Sequence, residues 1–398
     1  MEALERSADI TGGGQVNLAN LTDGLRAERE QGITIDVAYR YFATPKRKFI
    51  VADTPGHVQY TRNMVTGAST ANLSIVLIDA RNGVIEQTRR HSYISALLGI
   101  PHIVFAVNKM DLVDWSGERF RAIRDDIEDF LPKLDTFKDV KFIPLSALEG
   151  DNVVTPSAHT PWYEGPTLMG HLESVHIASD WNLNAFRFPV QWVNRPNNPT
   201  DKTLHDFRGF SGQIAGGIVR VGQEVLVLPS GRKSFIKEIQ TFDGKLDEAF
   251  SPQSVTLVLE DDLDISRGDM IVGTDSLPGH SADISARVCW MEQRPLQPGQ
   301  NYFLKHGTQT VQAKVISLES RINIQTYEPE PHPAELAMND IGEIRLRTAK
   351  PLVFDGYTTN RLTGSIVLVE PSTNATAAAG MLRGPEKVYQ PEYDDFMI

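Results

Sequence analysis

The stretch Asp53-Thr54-Pro55-Gly56-His57 follows the apolar run Phe49-Ile50-Val51-Ala52, which is typical of a buried β-strand. In α/β folds, ligands bind where polar residues leave the carboxyl ends of such strands. An isolated Asp-x-Pro-Gly stretch is more often a simple capped turn. Two further stretches, Gly32-Ile33-Thr34 before it and Asn108-Lys109-Met110-Asp111 after it, together favour a guanine-nucleotide switch.

The pattern around this stretch predicts an α/β domain. Short apolar runs alternate with segments of helical periodicity, and this order predicts a doubly wound, mostly parallel sheet. The runs cover residues 74–79, 102–108 and 141–146, and the helical segments cover residues 84–98 and 116–134. Charged residues from Gln87 to His91, in the first of these helices, are expected to face solvent.

After about Asp180 the pattern changes to short β-branched runs separated by Gly, Pro and Asp turns. Such a pattern predicts β-barrels. We expect a nucleotide-binding domain over residues 1–180, a first barrel over 181–279, and a second barrel with a C-terminal tail over 280–398. The boundary between the barrels is set by the turn residues Pro278-Gly279-His280.

Composition limits the possible classes of protein. No run of eighteen apolar residues occurs and the N-terminus does not resemble a secretory signal, so we expect a cytoplasmic protein without a membrane partner. The net charge of −12 argues against binding nucleic acid. The single cysteine, Cys289, excludes an internal disulfide and is expected to be a small strand residue rather than a nucleophile.

Phosphate chemistry is expected at the opening stretch. Asp53 can hold Mg²⁺ through water, and the N–H of Gly56 can approach a γ-phosphate because no Cβ intervenes. The Thr34 hydroxyl can bind Mg²⁺ only while the γ-phosphate is present, so its loop would order on GTP and release on hydrolysis. His57 follows Gly56 and is expected to orient the attacking water.

Base recognition is expected at Asn108, Lys109, Met110 and Asp111. The Asp111 carboxylate can accept from guanine N1–H and its exocyclic amine, whereas adenine has no N1–H and would leave the carboxylate unpaired. The Lys109 stem can lie over the base. The stretch Ser146-Ala147-Leu148, after the next strand, can offer a backbone N–H to guanine O6.

These motifs resemble those of the translational GTPases, which carry a GTP-binding domain followed by two β-barrels. The elongation factor Tu family shares all three motifs, so they do not discriminate within the superfamily. Longer stretches are similar to the large, GTP-binding subunit of bacterial sulfate adenylyltransferase. They cover residues 23–42, 242–244, 264–269 and 289–291.

The resemblance implies a GTPase that couples GTP hydrolysis to the formation of adenosine 5′-phosphosulfate from ATP and sulfate. It implies GTP and Mg²⁺ as cofactors and a separate small catalytic subunit as partner. By resemblance, Thr34 and Asp53 help to hold Mg²⁺, and Gly56 contacts the γ-phosphate. The resemblance also implies a guanine site formed by Asn108, Lys109, Asp111 and Ser146.

One motif of that family is missing. The sequence contains no Gly-x-x-x-x-Gly-Lys-Ser/Thr, the loop that grips the β- and γ-phosphates. Met1 falls after the position of that loop in the family, so we expect either a start internal to a longer gene product or a truncated homologue. The sheet would then lack a central strand. Two alternatives stay open, an elongation-factor-like GTPase that binds aminoacyl-tRNA and a GTPase-deficient scaffold for the small subunit.

Overall fold

The computed structural model describes Glu28, Glu30, residues 33–134, 136–177, 182–196 and 207–386, and Tyr389. The chain forms two compact units. The α/β unit comprises residues 1–177 and 323–328, and the barrel unit comprises residues 178–322 and 329–398.

An antiparallel hairpin and a short helix begin the regular structure of the α/β unit after residue 33. Strands β1 (Ala38–Ala43) and β2 (Lys48–Asp53) pair along their length, with Ala38 opposite Asp53. The turn between them is closed by a hydrogen bond of 2.9 Å from Thr44 N to Arg47 O. Helix α1 (Thr61–Ala68) follows and buries Met64 and Val65.

A three-stranded parallel sheet forms the centre of the α/β unit. Strands β3 (Leu73–Asp79), β4 (His102–Asn108) and β5 (Asp139–Pro144) lie in that order. The side chains of β4 are buried from His102 to Val107, as expected for a central strand with both faces covered. The predicted parallel α/β sheet is therefore confirmed.

The hairpin and the parallel sheet form two separate sheets in the part of the chain that the structure describes. Among the described residues, β2 and β3 are not paired with each other, so each has a free edge. Apolar side chains on these strands are exposed, with Ile50 67% and Leu77 65% accessible to solvent. The expectation of a buried strand over Phe49-Ile50-Val51-Ala52 is therefore wrong, because Ile50 and Val51 are both exposed.

Three helices accompany the parallel sheet: α2 (Glu86–Leu97), α3 (Gly117–Phe130) and α4 (Leu168–Ser174). Two residues after α2, Gly99 has a φ of 67°, the left-handed conformation that glycine adopts readily. The prediction that the charges of α2 face solvent is wrong. The Arg90 side chain is 11% exposed and pairs with Glu86, and the Arg89 guanidinium lies 4.7 Å from the centre of the Phe130 ring.

The first sheet of the barrel unit surrounds a core of aliphatic and aromatic side chains that includes Phe188, Val225 and Leu257. Its strands lie in the order β6, β15, β10, β11, β14, β8, β7, with β12 on β11, while β9 and β13 form a separate pair. The strands are β6 (Arg187–Pro189), β7 (Trp192–Asn194), β8 (Gly209–Gln213), β9 (Ile218–Arg220), β10 (Glu224–Leu228), β11 (Arg232–Thr241), β12 (Gly244–Leu246), β13 (Glu248–Phe250), β14 (Ser254–Leu259) and β15 (Met270–Gly273).

The second sheet of the barrel unit closes on itself. Its order is β17, β21, β22, β16, β20, β18, β19, and a further pairing of β17 with β18 completes the ring. Cys289 is buried within β16, so its predicted role as a small strand residue is confirmed. The elements are β16 (Gly279–Trp290), β17 (Asn301–His306), β18 (Gln309–Ile322), β19 (Pro329–Pro331), β20 (Ile341–Phe354), α5 (Arg361–Gly364), β21 (Ser365–Val369) and β22 (Thr376–Leu382).

A buried ion pair joins the two sheets of the barrel unit. Arg187 of β6 donates from Nε and Nη2 to the Asp355 carboxylate, at 2.9 and 3.0 Å, directly after β20. Thr363 also donates to Asp355, and Arg187 Nη1 donates to the Ser276 carbonyl at 2.7 Å. These bonds satisfy groups that would otherwise be costly to bury.

No helix among the described residues is long and apolar enough to cross a membrane.

The division of the chain at residues 180 and 279 stays a prediction.

Candidate functional site

The Asn108 side chain holds together the two loops expected to bind guanine. Asn108 ends β4, and its Oδ1 accepts hydrogen bonds from Lys109 N at 2.8 Å and from Ala147 N at 2.9 Å. Because β4 and β5 are parallel neighbours, the loops that follow them meet at the same end of the sheet. One side chain thus fixes both loops.

Lys109 contacts a residue that the sequence analysis did not assign. Its backbone is left-handed, with a φ of 64°, and its Nζ lies 3.0 Å from Oδ2 of Asp79. Asp79 ends β3 in register with Asn108 and also accepts two bonds from the Arg81 side chain. The Arg81 and Lys109 hydrogen bonds hold the Asp79 pKa well below its usual range. A polar residue at a strand's carboxyl end was the signal that could have found it.

Asp111 has a buried oxygen that fits a guanine donor. Met110 is fully buried and anchors the loop, and its N–H donates to the Leu145 carbonyl at 3.3 Å. Within the described part of the chain, Oδ1 of Asp111 is buried and has no hydrogen-bond partner. An unpaired buried carboxylate oxygen is costly, and guanine N1–H would satisfy it. The residues present therefore fit a guanine base.

The loop after β5 is ordered by its own backbone. Ser146 is fully buried, and its carbonyl accepts from Gly150 N at 2.8 Å. The N–H groups of Ser146 and Ala147 donate to Asp151 O and Asn108 Oδ1. Guanine O6 would have to share or replace one of these bonds to bind there. Leu148 is 85% exposed beyond them.

The opening stretch forms a loop between β2 and α1. Asp53 ends β2 and is half-buried, Pro55 is buried, and Gly56 and His57 are exposed. Nδ1 of His57 accepts from Gln59 N at 3.4 Å and caps the short 3₁₀ helix Val58–Tyr60. In a neutral ring this contact leaves the proton on Nε2, where it can donate a hydrogen bond.

A second histidine lies beside Gly56. A Cβ added at Gly56 would meet only Cε1 of His91, at 4.0 Å, so the backbone there is open to a ligand. Burial, with a smaller effect from the neighbouring Arg90 charge, lowers the His91 pKa to about 4. His91 is thus neutral near pH 7. The prediction of a solvated helix face missed it, because packing against the Gly56 loop leaves no mark in the local sequence.

Thr34 lies in the loop that leads into β1 and is half-buried. Four residues later, Ala38 pairs with Asp53, so the two expected magnesium ligands lie on neighbouring backbone segments. Within the described residues, no group of three His, Cys, Asp or Glu side chains could hold a metal ion. The hydroxyl and carboxylate suit Mg²⁺, which usually takes few protein ligands and completes its shell with water and phosphate.

Two family models match the chain. One, described as the elongation factor Tu GTP binding domain, matches residues 2–187, and one described as GTP-eEF1A C-terminal domain-like matches residues 283–383. These matches confirm the superfamily and the fold class expected from the motifs.

Close relatives decide the family. The chain is 53% identical over 384 residues to "Sulfate adenylyltransferase subunit 1" of Bacteroides fragilis (strain YCH46), which covers 96% of this chain and 79% of that protein. The chain belongs to the sulfate adenylyltransferase subunit 1 family.

Longer members related to this family also match. The "Bifunctional enzyme CysN/CysC" of Mycobacterium tuberculosis (strain ATCC 25618 / H37Rv) is 53% identical over 381 residues, or 96% of this chain and 61% of that protein. The protein of the same name from Rhodopirellula baltica (strain DSM 10527 / NCIMB 13988 / SH1) is 54% identical over 394 residues, 98% of this chain and 59% of that protein. The chain thus spans less than two thirds of these bifunctional relatives.

Proposed function

We propose that this chain is the GTP-binding subunit of a two-subunit sulfate adenylyltransferase, in which GTP hydrolysis is coupled to the formation of adenosine 5′-phosphosulfate from ATP and sulfate. Membership of the sulfate adenylyltransferase subunit 1 family supports this function. The name "subunit 1" also supports a partner, and we propose the small catalytic subunit that carries out adenylyl transfer.

The observation that carries the proposal is the base site at the ends of β3, β4 and β5. Asn108 ties two loops together, and the buried Oδ1 of Asp111 has no hydrogen-bond partner within the described chain. Adenine, which lacks an N1–H donor, would leave that oxygen unpaired at a cost of about 1–3 kcal/mol. Guanine is therefore the preferred base, and Lys109, Ser146, Ala147 and Leu148 complete its surroundings.

The phosphate side of the site is assigned to the loop from Asp53 to His57 and to Thr34. We assign the Mg²⁺ to the Thr34 hydroxyl and, through water, to the Asp53 carboxylate. When bound, the ion neutralises charge on the phosphates. The open backbone of Gly56 suits close approach of the γ-phosphate. Nε2–H of His57 suits the orientation of water by hydrogen-bond donation.

Coupling has a chemical reason. The product contains a sulfate-phosphate anhydride, a high-energy bond, so its formation from ATP is strongly uphill. A second hydrolysis reaction tied to a conformational change can drive it forward. The segments that carry Thr34 and His57 belong to the class of loops that GTP orders and hydrolysis releases.

Reconstitution tests the proposal. The purified chain is mixed with a separately purified small subunit, and adenosine 5′-phosphosulfate is measured with and without GTP. We expect the two proteins to co-purify and product formation to rise with GTP. Product formation independent of GTP would reject the coupling. A complex that forms without any binding of GTP would instead support the scaffold alternative. A gel shift with aminoacyl-tRNA tests the elongation-factor alternative, for which no binding is expected.

A further inference from the structure

The backbone of Ile35, which directly follows Thr34, is held from two sides. Oε1 of Glu28 accepts hydrogen bonds from Ile35 N at 3.0 Å and from Asp36 N at 3.1 Å. From the other side, Nδ2 of Asn63 donates to the Ile35 carbonyl at 2.7 Å. Both backbone polar groups of Ile35 are thus bonded to side chains, one of them seven and the other 28 positions away in sequence.

These bonds are well placed to be strong. Glu28 is only 3% exposed, so water does not compete for the two hydrogen bonds that its Oε1 accepts. Asn63 is half-buried on α1. The backbone directly after Thr34 is therefore held by side chains of this chain.

Asn63 connects this loop to the segment that carries His57. Helix α1 begins at Thr61, four residues after His57. A Cβ added at Gly67 of α1 would lie 2.5 Å from Cγ2 of Thr54 and 2.9 Å from Cγ2 of Val37, so the helix packs directly against both segments. A shift of the Asp53–His57 loop therefore reaches Ile35 through α1 and the Asn63 amide.

We propose that Glu28 and Asn63 are positioning residues that hold the Thr34 backbone against α1, so that the Thr34 hydroxyl and the His57 loop respond to the γ-phosphate together. This inference rests on the proposed function, because it assigns the two residues to the GTP-bound state of that same site. Neither residue needs to touch the nucleotide.

A purely structural role makes a different prediction. Residues that only support the fold would affect GDP and GTP binding alike. Residues that position Thr34 affect only the state with a γ-phosphate, because the Thr34 hydroxyl binds Mg²⁺ only in that state. The ratio of the two affinities therefore separates the two roles.

The test uses Asn63→Asp, which replaces the donor by an acceptor facing the Ile35 carbonyl, and Glu28→Gln, which replaces the carboxyl group by an amide of the same shape. Asn301→Asp, at an exposed position in the barrel unit, is the matched control. Calorimetry of the full chain measures affinity for GDP and for a non-hydrolysable GTP analogue with Mg²⁺. Hydrogen exchange measures the Ile35 and Asp36 amides.

We expect Asn63→Asp to weaken binding of the GTP analogue about tenfold, which corresponds to one lost hydrogen bond. The affinity for GDP should stay within about twofold of the wild-type value. Glu28→Gln should act in the same direction with a smaller effect, and the exchange of both amides should speed up in each variant. Unchanged affinities, or equal losses for both nucleotides, would overturn the inference and leave the proposed function standing. A wild-type chain that binds neither nucleotide would overturn both.

Discussion

The two units differ in how their sheets end. In the second sheet of the barrel unit, six strands form a closed ring in which each has two neighbours. In the α/β unit, β2 and β3 keep a free edge among the described residues, and apolar side chains such as Ile50 and Leu77 face solvent there. A closed ring satisfies its own backbone, whereas free edges offer N–H and C=O groups to another segment.

The contacts that stabilise the fold and the groups that can bind a ligand therefore lie in different units. Among its described residues, the barrel unit has a buried ion pair and three hydrophobic core clusters of its own. The candidate site lies in the α/β unit, where Asp111 keeps a buried acceptor without a partner in the described chain and Gly56 keeps an open backbone. Unsatisfied or open groups of this kind are what a ligand can complete. We therefore expect the barrel unit to depend on internal contacts and the α/β unit to respond to ligand.

The largest effect is expected from breaking the ion pair of the barrel unit. Asp355→Ala leaves the Arg187 guanidinium, 2% exposed, without its carboxylate, and we expect a loss of about 3–5 kcal/mol in unfolding free energy. Urea denaturation measures the loss. Asp283→Ala, which breaks the exposed Asp283–Arg347 pair, is the control and should cost much less because water screens that pair. Equal losses of unfolding free energy in the two variants would contradict the expected difference between the buried and the exposed ion pair.

Acid should weaken the α/β unit through His91. The unfolded residue binds a proton near pH 6.5, but burial lowers the folded pKa to about 4, so the unfolded state takes up more protons in between. His91 therefore does not lower the unfolding free energy above pH 6.5. As the pH falls from 6.5 toward 4, the unfolding free energy decreases by about 3 kcal/mol at most. Helical circular dichroism during urea denaturation measures it. His91→Gln should flatten this dependence, and the exposed His332→Gln should leave it unchanged. An unaltered slope in His91→Gln would show that His91 does not contribute.

Asp111→Asn should weaken the binding of guanine nucleotides without lowering the unfolding free energy. The amide cannot accept from both guanine donors, and we expect an affinity loss of about tenfold to a hundredfold by calorimetry. Unfolding free energy should change little, because Oδ1 of Asp111 has no hydrogen-bond partner in the described chain that the substitution would remove. Asp125→Asn, at an exposed position on α3, is the matched control. Equal GDP affinity for Asp111→Asn and wild type would reject the base site.

The smallest effect on stability is expected at the free edge of β3. Leu77 is 65% exposed, so Leu77→Lys should change unfolding free energy by less than about 0.5 kcal/mol while it reduces self-association measured by light scattering. The buried Val76→Lys on the same strand should be strongly destabilising and is the comparison. A large loss in Leu77→Lys would mean that another segment covers this edge in solution.

The sequence predicts the strand ends well because chemistry and position coincide there. Asn108 and Ser146 follow apolar runs, so the parallel sheet and the meeting of their loops could both be inferred. Asp79 follows the same rule and was missed because it belongs to none of the three motifs. Its contact with Lys109 becomes visible only when β3 and β4 are in register.

Long-range packing could not be inferred in the same way. Residues 87–91 look like a solvated helix face, but Arg90 is nearly buried and Arg89 lies over Phe130, some forty positions away. Asn63 likewise reaches the Ile35 carbonyl, 28 positions away. Periodicity reports which face of a helix is apolar, but not which distant segment packs against a polar one.

The central claim is that the ends of β3, β4 and β5 form a guanine site. Calorimetric titration of the full chain with GTP and with ATP, both with Mg²⁺, tests it most directly. We expect GTP to bind with micromolar or tighter affinity and ATP to bind far more weakly, because only guanine satisfies the buried Asp111 oxygen. Equal affinities, or no binding of GTP, would contradict the account.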